Sequence, residues 1–438
     1  MKQSTLFNAM FSKVPSFSKV SNGLGVVLVS GLSLLSSHAY AQSTAIINAT
    51  VHTVAEQGVL SGAVVMLDDG KITAIYTAET VPSKIEADII VDAQGNILTP
   101  GFIASKNLLG LVEVGAVSRT RDGSDKKADI TFDASLAFNP KSTLIPYTRK
   151  GGITSNVVMP NGGEGVLVGQ SFVVNLSGEF DSVVSPNNAV IAHLGAKSKG
   201  SRAMSLQTLA NELADAQKAL TEASKSKGKK DKTKELKRDQ QVINSVVKGE
   251  KTLLAYADRA TDILALLKLK AQYNLDLVLV GARDAVLVTK QIADANVPVM
   301  TSALANLPNS FDSLHSSLDN IAILNEAGIK VIIATSGESH NINQLRFDAG
   351  VAVANGFDKS AALAAVTANV ADTFKLNSGR IAVGKNADLV LWSGDPFEIS
   401  TKVNSMWING EQVSTQSRQD VLRDRYISKS ELPRAYIK

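Results

Sequence analysis

Short runs in which apolar and polar residues alternate mark both ends of the chain, and longer mixed segments fill the middle. Residues 45–51 (Ala-Ile-Ile-Asn-Ala-Thr-Val) and 62–67 have the β-branched, half-buried character of strands. Asp68-Asp69-Gly70-Lys71 supplies a hairpin turn into 72–75, and near the far end 384–392 and 403–410 read as strands again. The middle predicts strands over 101–105, 153–159, 189–194, 252–257, 276–280, 297–300 and 329–334. It predicts helices over 260–273, 284–295, 318–327 and 341–356. This alternation points to an α/β fold, a TIM-type (β/α)8 barrel of parallel strands, with a doubly wound open sheet as the alternative. Segment 166–176 reads as a β excursion off the barrel. The β patterns at the two ends predict a small β-sandwich domain built from 42–98 and 380–413. The barrel then spans 99–379, and 414–438 is a C-terminal tail.

Two stretches break the alternation. Lys2, Lys13 and Lys19 precede an apolar run from Leu24 to Leu35, and Ala39-Tyr40-Ala41 has the small-x-small form of a cleavage site before Gln42. The run is too short to span a bilayer, so 1–41 is expected to be a removed secretory signal and the mature chain a soluble periplasmic protein. The second is Ser224 to Lys234, a basic run inside a charged helical insert of about 200–250. It joins helical runs over 206–223 and 234–247 and reads as a solvated hairpin tip; contact with an anionic lipid surface or an acidic partner is the other reading.

Composition narrows the chemistry. The chain has no cysteine, which excludes disulfides, thiolate nucleophiles and Cys-ligated zinc, and which suits an oxidising compartment. A formal net charge of +4 gives no sign of nucleic-acid binding. No segment after the leader is long and apolar enough to span a membrane.

Two motifs carry a family resemblance. Leu98-Thr99-Pro100-Gly101-Phe102-Ile103 resembles the start of the barrel in the amidohydrolase superfamily, where Pro-Gly-Phe-Ile-Asp leads into a His-x-His metal pair. Gly384-Lys385-Asn386-Ala387-Asp388-Leu389-Val390-Leu391-Trp392 resembles the superfamily's C-terminal signature. The likeness runs from Thr44 to about Gln412 and is nearest to the imidazolonepropionase-like and dipeptide- or amide-cleaving members. It implies a metal-dependent hydrolase fold, with the site at the C-terminal ends of the strands. In register, however, the family Asp falls on Ala104, and the paired histidines fall on Lys106 and Leu108. The middle strands end in Ala255 to Ala257 and Gly281 without histidine, and the last family Asp falls on Ser336.

Of the five histidines, His38 belongs to the leader, His52 to the small sheet region and His315 to a loop or helix start. His340 follows the last apolar strand, with Glu338 the nearest carboxylate. Lys106, Tyr256, Glu338 and His340 are therefore the candidate catalytic residues, since each can hold or give a proton. Arg259, Arg346, Asn306 and His193 are the candidate substrate-binding residues, guanidinium being a natural carboxylate clamp. Bland readings stay open: Arg259 and Arg346 as rim ion pairs, Asn306 as a turn residue, His193 as a structural histidine. No metal ligand is assigned, and no cofactor is expected beyond one weakly bound zinc. The expected function is that of an exported hydrolase acting on non-peptide, small dipeptide or cyclic amide C–N bonds, with a degenerate metal site. A small-molecule substrate is expected; homo-oligomer formation or pairing with an active amidohydrolase stays open. The alternative is a non-catalytic pseudoenzyme that binds a ligand or stabilises a partner.

Overall fold

A computed structural model describes residues 42–198, 200–226, 236–335 and 339–427. Residues 1–41, expected to be a removed leader, 227–235 of the basic run, Ser336, Glu338 and 428–438 lie outside the described residues.

The strands that open and close the chain are hydrogen-bonded into one sheet. They are β1 (Thr44–His52), β2 (Val59–Asp68), β3 (Lys71–Tyr76), β4 (Ile89–Asp92) and β5 (Ile97–Pro100), then, after the central strands β6 to β13, β14 (Leu389–Trp392), β15 (Val403–Ile408) and β16 (Glu411–Gln412). Their order is β16-β15-β14-β5-β1-β2-β3, with β4 also pairing β1. The two ends meet where β14 runs antiparallel to β5, Leu389 opposite Pro100. Asp388, just before β14, accepts the Asn409 amide at 2.9 Å and so holds the β15–β16 turn. A core of Ile46, Val65, Leu98, Leu389 and Trp407 lies within this sheet.

The central strands form a second sheet. They are β6 (Phe102–Asn107), β7 (Ile153–Val158), β8 (Leu167–Asn175), β9 (Val183–His193), β10 (Thr252–Ala257), β11 (Leu277–Gly281), β12 (Val299–Thr301) and β13 (Val331–Ile333), paired in chain order. Alternate residues divide cleanly between its faces. Leu253, Ala255, Leu277 and Leu279 pack outward with the helices, whereas Leu254, Tyr256, Val278 and Val280 pack inward. The inward set also contains Ile103 from β6 and Ile332 from β13, so the sheet curls until its first and last strands share one core. Thr335 Oγ1 donates to the Ser105 carbonyl at 3.3 Å across that seam. Burial on both faces is why these strands read as continuous apolar runs.

One expectation is corrected. Segment 166–176 is no excursion: β8 lies inside the curled sheet, antiparallel to both β7 and β9. No helix separates it from its neighbours, and short loops can join only antiparallel strands. Eight of its nine residues are buried, which an edge flap would not be. The helices Arg202–Ser226 and Arg238–Val247 of the charged insert pack against each other, and Ala260–Tyr273 forms as the pattern predicts.

The two sheets are welded at the start of β6. The Trp392 ring lies 5.3 Å from that of Phe102, and its Nε1 donates to Thr99 Oγ1 at 2.9 Å. Gly152 makes room for this ring. It sits at φ +74°, and a Cβ there would lie 2.1 Å from the Trp392 ring.

Candidate functional site

The end of β6 is irregular in a way that aims one side chain. Ser105 pairs with Val157 and Asn107 with Val158, so Lys106 is an extra residue in the ladder, a β-bulge. Lys106 also has φ +61°, in the left-handed region that β-substituted residues avoid. Strict alternation would turn Lys106 toward the helices, as it turns Phe102 and Ala104. The bulge instead turns it into a cavity at the C-terminal ends of the strands. Asn107 fixes the bulge. Its side-chain amide and that of Asn156 on β7 exchange hydrogen bonds of 2.7 and 2.9 Å, and Asn107 Oδ1 accepts the Leu109 amide at 3.1 Å.

That cavity has a volume of about 530 Å³, and its polar lining includes Lys106, Arg121, Asn161, Tyr256, Ser339 and His340. Three of the four candidate catalytic residues, from β6, β10 and the segment after β13, thus meet in one place. Lys106 is held below the ordinary lysine range, first by burial; Lys197 and Arg283 add to the effect, and Asp258 and Asp348 oppose it. Burial pushes the Tyr256 phenol up, so it stays protonated and acts as a donor. His340 is exposed at the cavity wall. The neighbouring carboxylates are engaged. Asp348 accepts from Ser302 Oγ at 2.9 Å and from the Ala303 and Leu304 amides at 2.6 and 2.8 Å, and Asp258 lies 3.9 Å from Arg283 Nε.

Comparison with known proteins relates the fold to others. The amidohydrolase family model matches residues 216–416. The amidohydrolase tasK of Hapsidospora irregularis is 21% identical over 388 residues, covering 79% of this chain and 39% of that protein. The chain therefore spans about two fifths of the length of that curated relative. An amidohydrolase from Thermotoga maritima MSB8 superposes with a TM-score of 0.76 at 24% identity, covering 84% of this chain and 99% of that one. A prolidase complexed with N-methylphosphonate-L-proline has the same general fold, with a TM-score of 0.52 at 15% identity over 85% of this chain and all of that one. The family likeness thus covers residues 216–416, and the solved structures share the overall fold.

Amidohydrolases usually bind metals, so the donors must be tested for fit. At the two positions where the family it resembles carries a His-x-His pair, this chain has an ammonium, Lys106, and a hydrocarbon, Leu108, both lining the cavity. Leucine has no lone pair, and protonated lysine repels a cation. The end of β10 offers the phenol of Tyr256, and Gly281 ends β11 with no side chain. Among the described residues no group of three or more His, Cys, Asp or Glu side chains is placed to hold a metal ion. The described donors do not fit a binuclear centre.

The candidate binding residues disperse. His193 stands behind Tyr256, edge to face at 5.1 Å, with its Nε2 buried and unbonded. Burial, then Lys197, lowers it to about 4, which keeps the imidazole neutral. The structure does not bring Arg346 to the cavity. Its guanidinium donates to the carbonyls of Pro396, Glu398 and Thr401 at 2.8–3.0 Å and fastens the loop after β14. Arg259 is ion-paired with Asp312, which also takes Arg202. Asn306 donates to the Ser317 carbonyl at 2.8 Å and closes its own loop. Arg121 and the Asn107–Asn156 pair were missed. Two asparagines inside apolar strand runs were the only signal for the pair, and nothing in the sequence marks Arg121.

Proposed function

We propose that this chain is a member of the amidohydrolase superfamily and a hydrolase of small C–N bonds, in a non-peptide, dipeptide or cyclic amide. One observation carries this: Lys106, Tyr256 and His340, drawn from three separate parts of the chain, line a single cavity at the strand ends where the fold family works. Names of similar proteins support the class, since they include a molinate hydrolase and an Xaa-Pro dipeptidase. In this reading the His340 imidazole accepts a proton from water as the water oxygen bonds to the carbonyl carbon, while the Lys106 ammonium holds the substrate by its charge. The Tyr256 phenol donates a hydrogen bond to the developing oxyanion. His340 then gives that proton to the departing nitrogen as the C–N bond breaks. No step passes through a metal, and we read the metal site as degenerate, holding at most one weakly bound zinc.

The same reading takes the curled sheet as a (β/α)8-type barrel and the composite sheet as a small sandwich-like domain. It also takes 1–41 as a secretory signal, with mature periplasmic protein beginning at Gln42; N-terminal sequencing that found Met1 retained in a membrane fraction would refute export. The activity is tested by screening N-acyl amino acids, Xaa-Pro dipeptides and cyclic imides for amine release, with the parent beside Lys106→Met. No turnover on any of these classes, with and without added zinc, would end the proposal.

A further inference from the structure

We propose that the cavity at the C-terminal ends of the strands is a site for a small organic carboxylate, whose charge is received by Lys106 with Arg121 as second cation. The inference rests on the proposed function only for the class of molecule tried, because the charge of the site is independent of turnover.

Three observations converge on Lys106. A non-glycine residue in the left-handed region is disfavoured by roughly 1 kcal/mol, and the bulge places such a residue at the mouth of a curled sheet. Strain of this kind persists where the surrounding structure enforces it, and the Asn107–Asn156 amide pair does so here. What the strain achieves is a cation in the cavity.

The second observation is charge. Lys106 and Arg121 line the cavity, and Lys197 and Arg283 lie close enough to act on Lys106. The carboxylates that act on Lys106, Asp258 and Asp348, are matched in number by Lys197 and Arg283 and both have other partners, and the cavity lining itself holds Lys106 and Arg121 with no described carboxylate. Among the described residues the neighbourhood keeps an excess of positive charge. No described carboxylate forms a hydrogen bond or ion pair with the Lys106 ammonium. A desolvated cation without a counter-ion is unfavourable, and an entering anion relieves exactly that deficit while gaining Coulomb energy in a low-dielectric setting.

The third observation is the remaining lining. Asn161, Tyr256 and Ser339 supply hydrogen-bonding groups, and Leu108, Val112 and Met159 an apolar wall. A cavity of about 530 Å³ suits a molecule with one charged end, one hydrogen-bonding carbonyl and a small apolar body. The position that would hold a metal in relatives thus holds a fixed organic cation, which selects the substrate by its charge.

The test uses the full mature chain and two probes of nearly equal shape, N-acetylglycine and N-acetylglycinamide, titrated by calorimetry at pH 7. The acid is expected to bind at least tenfold tighter than the amide, and Lys106→Met is expected to erase that preference. Arg121 is exposed, so Arg121→Gln should fold normally; it is expected to weaken the acid several-fold and leave the amide unchanged. Equal binding of the two probes by the parent, no binding of the acid at millimolar concentration, or a preference that survives Arg121→Gln unchanged would each overturn the assignment. So would a folded Lys106→Met chain that keeps the preference. The acid bound but never hydrolysed would sink the hydrolase reading and leave the carboxylate site standing. Hydrolysis of both probes at equal rates would do the reverse.

Discussion

Asp388→Asn is expected to stabilise the protein above pH 6 and to have no effect below about pH 4. Asp388 lies at the head of β14 with only 5% of its surface exposed, and its Oδ1 accepts the Asn409 amide at 2.9 Å. Burial raises its carboxyl from 3.8 to about 6, against the opposing pull of that hydrogen bond and of Lys71. Below pH 4 the acid is protonated whether the chain is folded or not, and no penalty arises. Between pH 4 and 6 the unfolded chain loses this proton while the folded chain keeps it, so stability falls as pH rises. Above 6 the loss is complete and amounts to on the order of 3 kcal/mol. Asparagine keeps the acceptor for the Asn409 amide and never ionises. The difference in melting temperature between variant and parent should therefore open between pH 4 and 6 and reach several degrees at pH 8, measured by scanning calorimetry. A variant less stable than the parent at pH 8 would refute the reasoning, because it would show an ionised carboxylate held by contacts that outweigh its burial. A gap independent of pH would refute it equally.

Other outcomes follow from the same geometry. His193 is lowered from 6.5 to about 4, so its contribution is present above pH 6.5 and is lost as pH falls through 4, by about 3 kcal/mol; His193→Phe should remove that acid limb in urea unfolding at stepped pH, and an unchanged limb would count against it. Gly152→Ala adds a Cβ 2.1 Å from the Trp392 ring at a positive φ, and should lose about 3 kcal/mol in denaturant unfolding; a loss under about 1 kcal/mol would mean the two sheets yield easily at this joint. Replacing both Lys106 and Leu108 with histidine should raise the zinc retained after dialysis, read by elemental mass spectrometry, whereas two equivalents already present in the parent would overturn the degenerate-site reading.

What the residues alone determined is mostly local. Thr252–Ala257 and Ala260–Tyr273 form where the apolar pattern puts them, because a run buried on both faces and a helical stripe each follow from spacing along the chain. The Pro-Gly-Phe-Ile and Asn-Ala-Asp-Leu-Val motifs made the amidohydrolase resemblance legible, and the positions of Lys106, Tyr256 and His340 at strand ends foreshadowed the cavity they share. What only the tertiary structure decided is direction and partnership. Chemistry on a guanidinium does not say what it will bond: Arg346 found three loop carbonyls and Arg259 found Asp312, because those acceptors came to hand once distant segments packed. Periodicity could not show that β8 sits within the sheet rather than beside it, since an apolar strand looks the same in either place until its neighbours are known. Nor could it show the bulge at Lys106. A single extra residue reverses which face a side chain takes, and its cause lies across the sheet in the pairing of Asn107 with Asn156 rather than in the residues beside it.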